Sequence, residues 1–106
     1  MKHVLVALML AAITVPAVPT PADAGTLRRA CLKSDRSAAS RRMCRCMQQV
    51  ADRALPRGDQ RLAASFFDDP HRAQEIRQSD RLSHERFWKR YKEFSATFAA
   101  SCGHLN

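Results

Sequence analysis

Residues 83–102 read SHERFWKRYKEFSATFAASC, with Phe87, Tyr91, Phe94, Phe98 and Cys102 at steps of four, three, four and four. Residues three and four apart share one face of an α-helix, so this spacing lays a single apolar stripe along a long helix. Ser83 stands where an N-cap belongs, and Trp88 and Ala99 widen the apolar face. The segment predicts the longest helix of the chain.

The same period continues upstream in shorter runs. A first helix is expected over residues 26–33, followed by a turn through Ser34-Asp35-Arg36. Ser37 can cap a second helix running to about Leu55, with Met43, Cys46, Met47, Val50 and Ala54 on one stripe and Arg41, Arg42, Arg45, Gln49 and Asp52 opposite. Pro56-Arg57-Gly58 is read as its end. A third helix over about residues 59–67 carries Leu62, Ala63, Phe66 and Phe67 on one side, and Asp69-Pro70 reads as N-cap and first helical residue of a fourth helix ending near Ser79. Beyond Gly25 the β-branched residues are only Thr26, Val50, Ile76 and Thr97, a composition that favours helices and argues against a sheet. The expected fold is all-α, a small bundle of about four to five helices. Because every aromatic residue from Gly25 onward falls between Phe66 and Phe98, the core is expected where the third and fifth helices meet, with the second laid over them and the first contributing little.

The start of the chain has a different character. Lys2 and His3 lead into the apolar run Val4 to Val15, and Ala22-Asp23-Ala24 supplies small residues at the spacing of a cleavage site, so residues 1–24 read as a secretory signal peptide. The run is about half the length a membrane-crossing helix needs. Residues 25–106 then form one small helical domain, exported to the periplasm or secreted, with no transmembrane segment after cleavage and as a monomer. A chain of that size has a small core, and its four cysteines, Cys31, Cys44, Cys46 and Cys102, read as two structural disulfides suited to an oxidising compartment.

Cys44-Arg45-Cys46 could suggest a redox pair or half a metal site. On a helix, positions i and i+2 point about 200° apart, so these two sulfurs cannot easily bond each other or share one ion. Each is expected to meet a different neighbour. In a helical hairpin turning near Asp35, Cys44 lies nearer the level of Cys31, which favours Cys31–Cys44 and Cys46–Cys102 over the alternative pairing.

Charge is concentrated at one end. From Gly25 onward there are 17 Lys and Arg against 9 Asp and Glu; residues 28–45 hold Arg28, Arg29, Lys33, Arg36, Arg41, Arg42 and Arg45 against Asp35 alone, a local charge of +6. Arg28, Arg29, Arg36, Arg41, Arg42 and Arg45 are therefore the candidate anion-binding residues, suited to anionic lipid, lipopolysaccharide or an acidic protein. Nucleic acid is a poorer match, because the segment has no aromatic residue on which bases stack.

Nothing in the chain makes a credible catalytic set. His71, His84 and His104 lack ligand spacing, adjacent Asp68 and Asp69 do not face one another, and no cofactor motif is present. An enzyme, a metal site and a cofactor are not expected, and a thiol-redox role is the least favoured class.

Several segments together resemble a family of short exported alphaproteobacterial proteins often labelled "arginine transporter". They are Cys44-Arg45-Cys46-Met47-Gln48-Gln49-Val50-Ala51-Asp52, Asp59-Gln60, Ala63-Ala64-Ser65-Phe66-Phe67-Asp68-Asp69-Pro70, Ala73-Gln74, Arg77-Gln78-Ser79-Asp80 and Phe87-Trp88-Lys89-Arg90-Tyr91. The resemblance brings no catalytic residues with it, and its label implies at most an accessory or ligand-binding component of amino-acid uptake, since nothing after Gly25 is long and apolar enough to span a membrane. A pocket for free arginine would need carboxylates and aromatic walls, for which Asp68, Asp69 or Asp80 with Phe66, Phe67 or Trp88 are the available residues. Binding through the basic end is the favoured function, and this accessory role is the alternative.

Overall fold

Five helices follow one another with short connections: α1 (Thr26–Lys33), α2 (Arg41–Ala54), α3 (Arg57–Asp68), α4 (Pro70–Arg77) and α5 (Leu82–Cys102), the last continuing into a 3₁₀ turn over Gly103–Leu105. The structure is a computed structural model that describes residues 25–34 and 40–105, all helices and connections with no strand among them. The predicted signal peptide, the turn at Asp35-Arg36, the Ser37 cap and Arg36 lie outside the described residues.

The helix boundaries correct the sequence reading in three places. The cap of α2 is Ser40, whose hydroxyl accepts from the Met43 amide at 3.0 Å, so the helix starts at Arg41. α2 stops before Pro56 as expected, with Leu55 and Pro56 making the extended corner, but α3 starts two residues early, so Arg57 and Gly58 already lie in its first turn. Ser83 lies inside α5, behind an uncapped Arg81, while the hydroxyl of Ser79 accepts from the Arg81 amide at 3.2 Å and pairs with His84 Nδ1 at 2.7 Å. Asp69 does occupy the cap position before Pro70, but without a side-chain hydrogen bond.

The core also draws on an element that composition discounts. Leu27 of α1 is 1% exposed and joins Val50, Ala51, Leu55, Ala63, Phe66, Ile76, Phe87, Phe94 and Cys102 in one cluster. α1 packs against both α2 and α3, and α2 packs along α5. The first helix is thus a wall of the core rather than an appendage. The stripe of α2 is rotated from its predicted position: Ala51 and Cys44 are fully buried while Ala54 is exposed, and Ala99 of α5 likewise faces out.

The aromatic half is held by ring contacts centred on Tyr91. Its ring meets Phe66 edge-on at 5.3 Å, stacks on Phe87 at 5.6 Å and lies 5.2 Å from Trp88. Phe66 and Phe87 meet edge-on at 5.9 Å. Edge-to-face pairs of this kind add about 0.5–1.5 kcal/mol each beyond their area burial.

All four cysteines are paired, Cys31 with Cys44 and Cys46 with Cys102, as the helix geometry of the Cys-x-Cys motif predicts. The first bridge joins α1 to the start of α2 across 5.5 Å between Cα atoms, and the second joins the middle of α2 to the end of α5. By loop-closure entropy the two are worth about 3 and about 4 kcal/mol, the longer loop gaining more.

Candidate functional site

The basic end is assembled by a buried polar network. Gly25 stands at the N-cap position before α1; its positive φ of 82° suits a residue without a Cβ, and its lack of a side chain leaves α1 without a cap of its own. The missing acceptor comes from α2: Gln48 Oε1 accepts from the Arg28 amide at 3.0 Å, with Gln48 only 7% exposed. The amide nitrogen of Gln48 donates to Asp52 Oδ1 at 2.7 Å and to Gln60 Oε1 at 2.9 Å. Gln60, equally buried, turns its own amide nitrogen to the carbonyls of Leu55 (3.0 Å) and Ala51 (3.3 Å), capping the C-terminus of α2 from the first turns of α3. The two glutamines therefore satisfy two helix ends, the N-terminus of α1 and the C-terminus of α2, while bonding each other. No buried side-chain nitrogen or oxygen among the described residues lacks a partner.

This framework, with the Cys31–Cys44 bridge, fixes α1 and α2 side by side and antiparallel. Arg28, Arg29 and Lys33 on α1, and Arg41, Arg42 and Arg45 on α2, are all exposed. Of these, Arg28, Lys33, Arg41, Arg42 and Arg45 form no ion pair among the described residues. Arg41 and Arg42 occupy the first turn of α2, which holds no acidic residue, so their charges add to the positive end of the helix dipole. α3 and α5 do the opposite, with Asp59 and Glu85 in their first turns.

Two arginines elsewhere are partnered. Arg90 forms a two-armed pair with Asp59, one arm at 3.1 Å, tying α5 to the start of α3. The hydrogen bond to Asp59 raises the Arg90 pKa above its ordinary value; burial works against this and the carboxylate charge adds to it. Arg72 and His71 both face Glu75 on α4.

A second feature adjoins the basic helices. A cleft of about 260 Å³ opens between α1, α2, α3 and α5, walled by Leu27, Met43, Met47, Phe67, Phe94 and Phe98. Ser34, Ser95 and Tyr91 bring polar groups to its lining, and no carboxylate lies there among the described residues. A second groove of about 450 Å³ between α2 and α5 is lined by Gln49, Arg53, Thr97 and Ser101 among others, with no acid among the described residues. The residues considered for an arginine pocket are dispersed: Asp68, Asp69 and Asp80 are exposed, Phe66 is buried among rings, Phe67 is on the cleft wall and Trp88 packs on Tyr91.

Gln48 and Gln60 are the structurally decisive residues that sequence periodicity misses, because a polar residue on a helix reads as solvent-facing. Among the described residues, no three His, Cys, Asp or Glu side chains converge as a metal set would, and no helix is long and apolar enough to cross a membrane. No protein-family model, curated protein or solved structure matches this chain.

Proposed function

We propose that this chain is an exported binding protein, not an enzyme, that attaches to anionic envelope surfaces through the arginines of α1 and α2. The observation that carries the reading is the pair Arg41-Arg42 in the first turn of α2, exposed and without an ion pair among the described residues. Cations at a helix N-terminus oppose the dipole and cost roughly 0.3–1 kcal/mol each, so folding by itself disfavours them. Anions held there meet guanidinium groups and free amides together, which is the chemistry of phosphate binding at helix N-termini. Arg28, Arg29, Lys33 and Arg45 extend the same positive field over the neighbouring helix surface, and Arg36 belongs to the same charged stretch of sequence. Two disulfides are compatible with an oxidising compartment, where such surfaces are met.

The test is cosedimentation with vesicles of phosphatidylglycerol and of phosphatidylcholine at rising salt. Retention on the anionic vesicles should fall steeply with ionic strength, since exposed charges are screened over about 8–10 Å under physiological conditions. The triple variant Arg41→Gln, Arg42→Gln, Arg45→Gln should lose about tenfold or more in retention with its melting temperature unchanged or slightly raised. Equal retention of the variant, or binding insensitive to salt, would reject the reading.

A further inference from the structure

Among the described residues, the cleft between α1, α2, α3 and α5 is the more apolar of the two places where packing stops short. At about 260 Å³ it lies just under the range of small-molecule pockets, roughly 300–1,000 Å³, and above the roughly 150 Å³ at which an apolar cavity takes up benzene. Its walls are built for hydrocarbon. Leu27, Met43, Met47, Phe67, Phe94 and Phe98 supply them, and the two methionines adapt their shape more readily than branched side chains do. Met47 and Phe98 are only partly buried although each packs against the core, so apolar surface remains available along the opening.

The size of the cleft and the charge around it select the occupant. A helix or a second protein surface that bound specifically would cover about 800 Å² per partner, far more than a cleft of this volume offers. A single hydrocarbon chain is narrow enough. The two helices that supply Leu27, Met43 and Met47 to the wall also carry the exposed cations, and the chain positions adjoin: Lys33 precedes Ser34 on the lining, and Arg41-Arg42 precede Met43. Among the described residues no carboxylate lines the cleft, so a negatively charged head group meets no repulsion from them.

We propose that this cleft is a binding site for the hydrocarbon chain of a long-chain fatty acid, whose carboxylate is held by the cations of α1 and α2. The proposal deepens the anionic-surface reading and rests on it for the head group, while the chain site stands on the cleft alone. The fatty acid is bound unchanged.

Methionine-methyl NMR reads the cleft directly, because Met43 and Met47 both line it and the only other methionines of the sequence are Met1 and Met9. Titration of the full chain with submicellar dodecanoate should move the Met43 and Met47 methyl signals, and acetate should not. Across octanoate, decanoate and dodecanoate the affinity should rise about three- to fourfold per added methylene until the cleft is full, the increment expected for burying a CH₂. Ser95→Trp, which places an indole on the lining, should weaken dodecanoate binding about tenfold or more while leaving retention on phosphatidylglycerol vesicles within about twofold. If that variant fails to fold, the chain-length series on the unmodified protein decides.

Unmoved methyl signals, an affinity that does not change with chain length, or equal binding by a folded Ser95→Trp variant would overturn the chain site. Signals that shift with protein concentration and no ligand would assign the cleft to a second copy and overturn it as well. Failure of vesicle retention alongside a normal dodecanoate titration would reject the surface reading and leave the chain site standing.

Discussion

The α1–α2 half and the α3–α5 half of this molecule are stabilised by different forces. α1 and α2 are short of large apolar side chains and are joined by a disulfide and by the amides of Gln48 and Gln60. α3 and α5 meet through Phe66, Phe87 and Tyr91, reinforced by the Asp59–Arg90 pair. The two halves also treat charge differently. Unpaired cations occur in both, but α3 and α5 carry Asp59 and Glu85 in their first turns, whereas α2 begins with Arg41 and Arg42 and no acid. A helix that has covalent and hydrogen-bonded support can carry unfavourable surface charge and remain folded.

The contrast can be broken most forcefully at the aromatic end. Phe87→Ala removes a ring that is 2% exposed and contacts both Phe66 and Tyr91, and should destabilise the fold by about 3–5 kcal/mol in denaturant titration. Because Cys46–Cys102 joins the two halves, hydrogen exchange should show α2 losing protection together with α5. Retained protection in α2 would mean that the halves unfold independently.

A second variant acts on the basic half. Replacing Cys31 and Cys44 by serine should cost about 3 kcal/mol by loop-closure entropy. Here the loss should be local first, with α1 amides exchanging faster while α3 and α5 keep their protection. Uniform loss across all helices would show that α1 is as integral to the core as the aromatic residues are, which its Leu27 already makes partly true.

The smallest expected effect separates the amide network from the disulfide. Gln60→Ala leaves the Leu55 carbonyl and one donor of Gln48 without their present partner, a penalty of about 1–3 kcal/mol for buried groups. The same variant should leave both disulfides intact by mass after alkylation. A change below about 0.5 kcal/mol would mean that water replaces the glutamine at little cost.

Some of this architecture is legible residue by residue. The stripe Phe87, Tyr91, Phe94, Phe98 and Cys102 projects one face of a helix because its period is set by backbone geometry alone. The pairing of Cys44 and Cys46 with different partners follows from the same geometry, since residues two apart on a helix point away from each other. Exposure of Arg41, Arg42 and Arg45 is equally local, because a guanidinium seeks water unless it is paired.

What the sequence by itself determined is therefore whatever depends on one helix at a time: the all-α class, the apolar stripe of α5, the separate partners of the Cys-x-Cys cysteines and the basic end. The tertiary structure decided whatever depends on two helices meeting. Leu27 becomes core only because α1 lies against α2 and α3, and Gln48 and Gln60 become buried only because each completes a neighbour's helix end. The cleft exists only because four helices converge without filling the space between them. Periodicity reports which face a residue occupies, while burial depends on what comes to cover that face, and that is a property of the assembled chain.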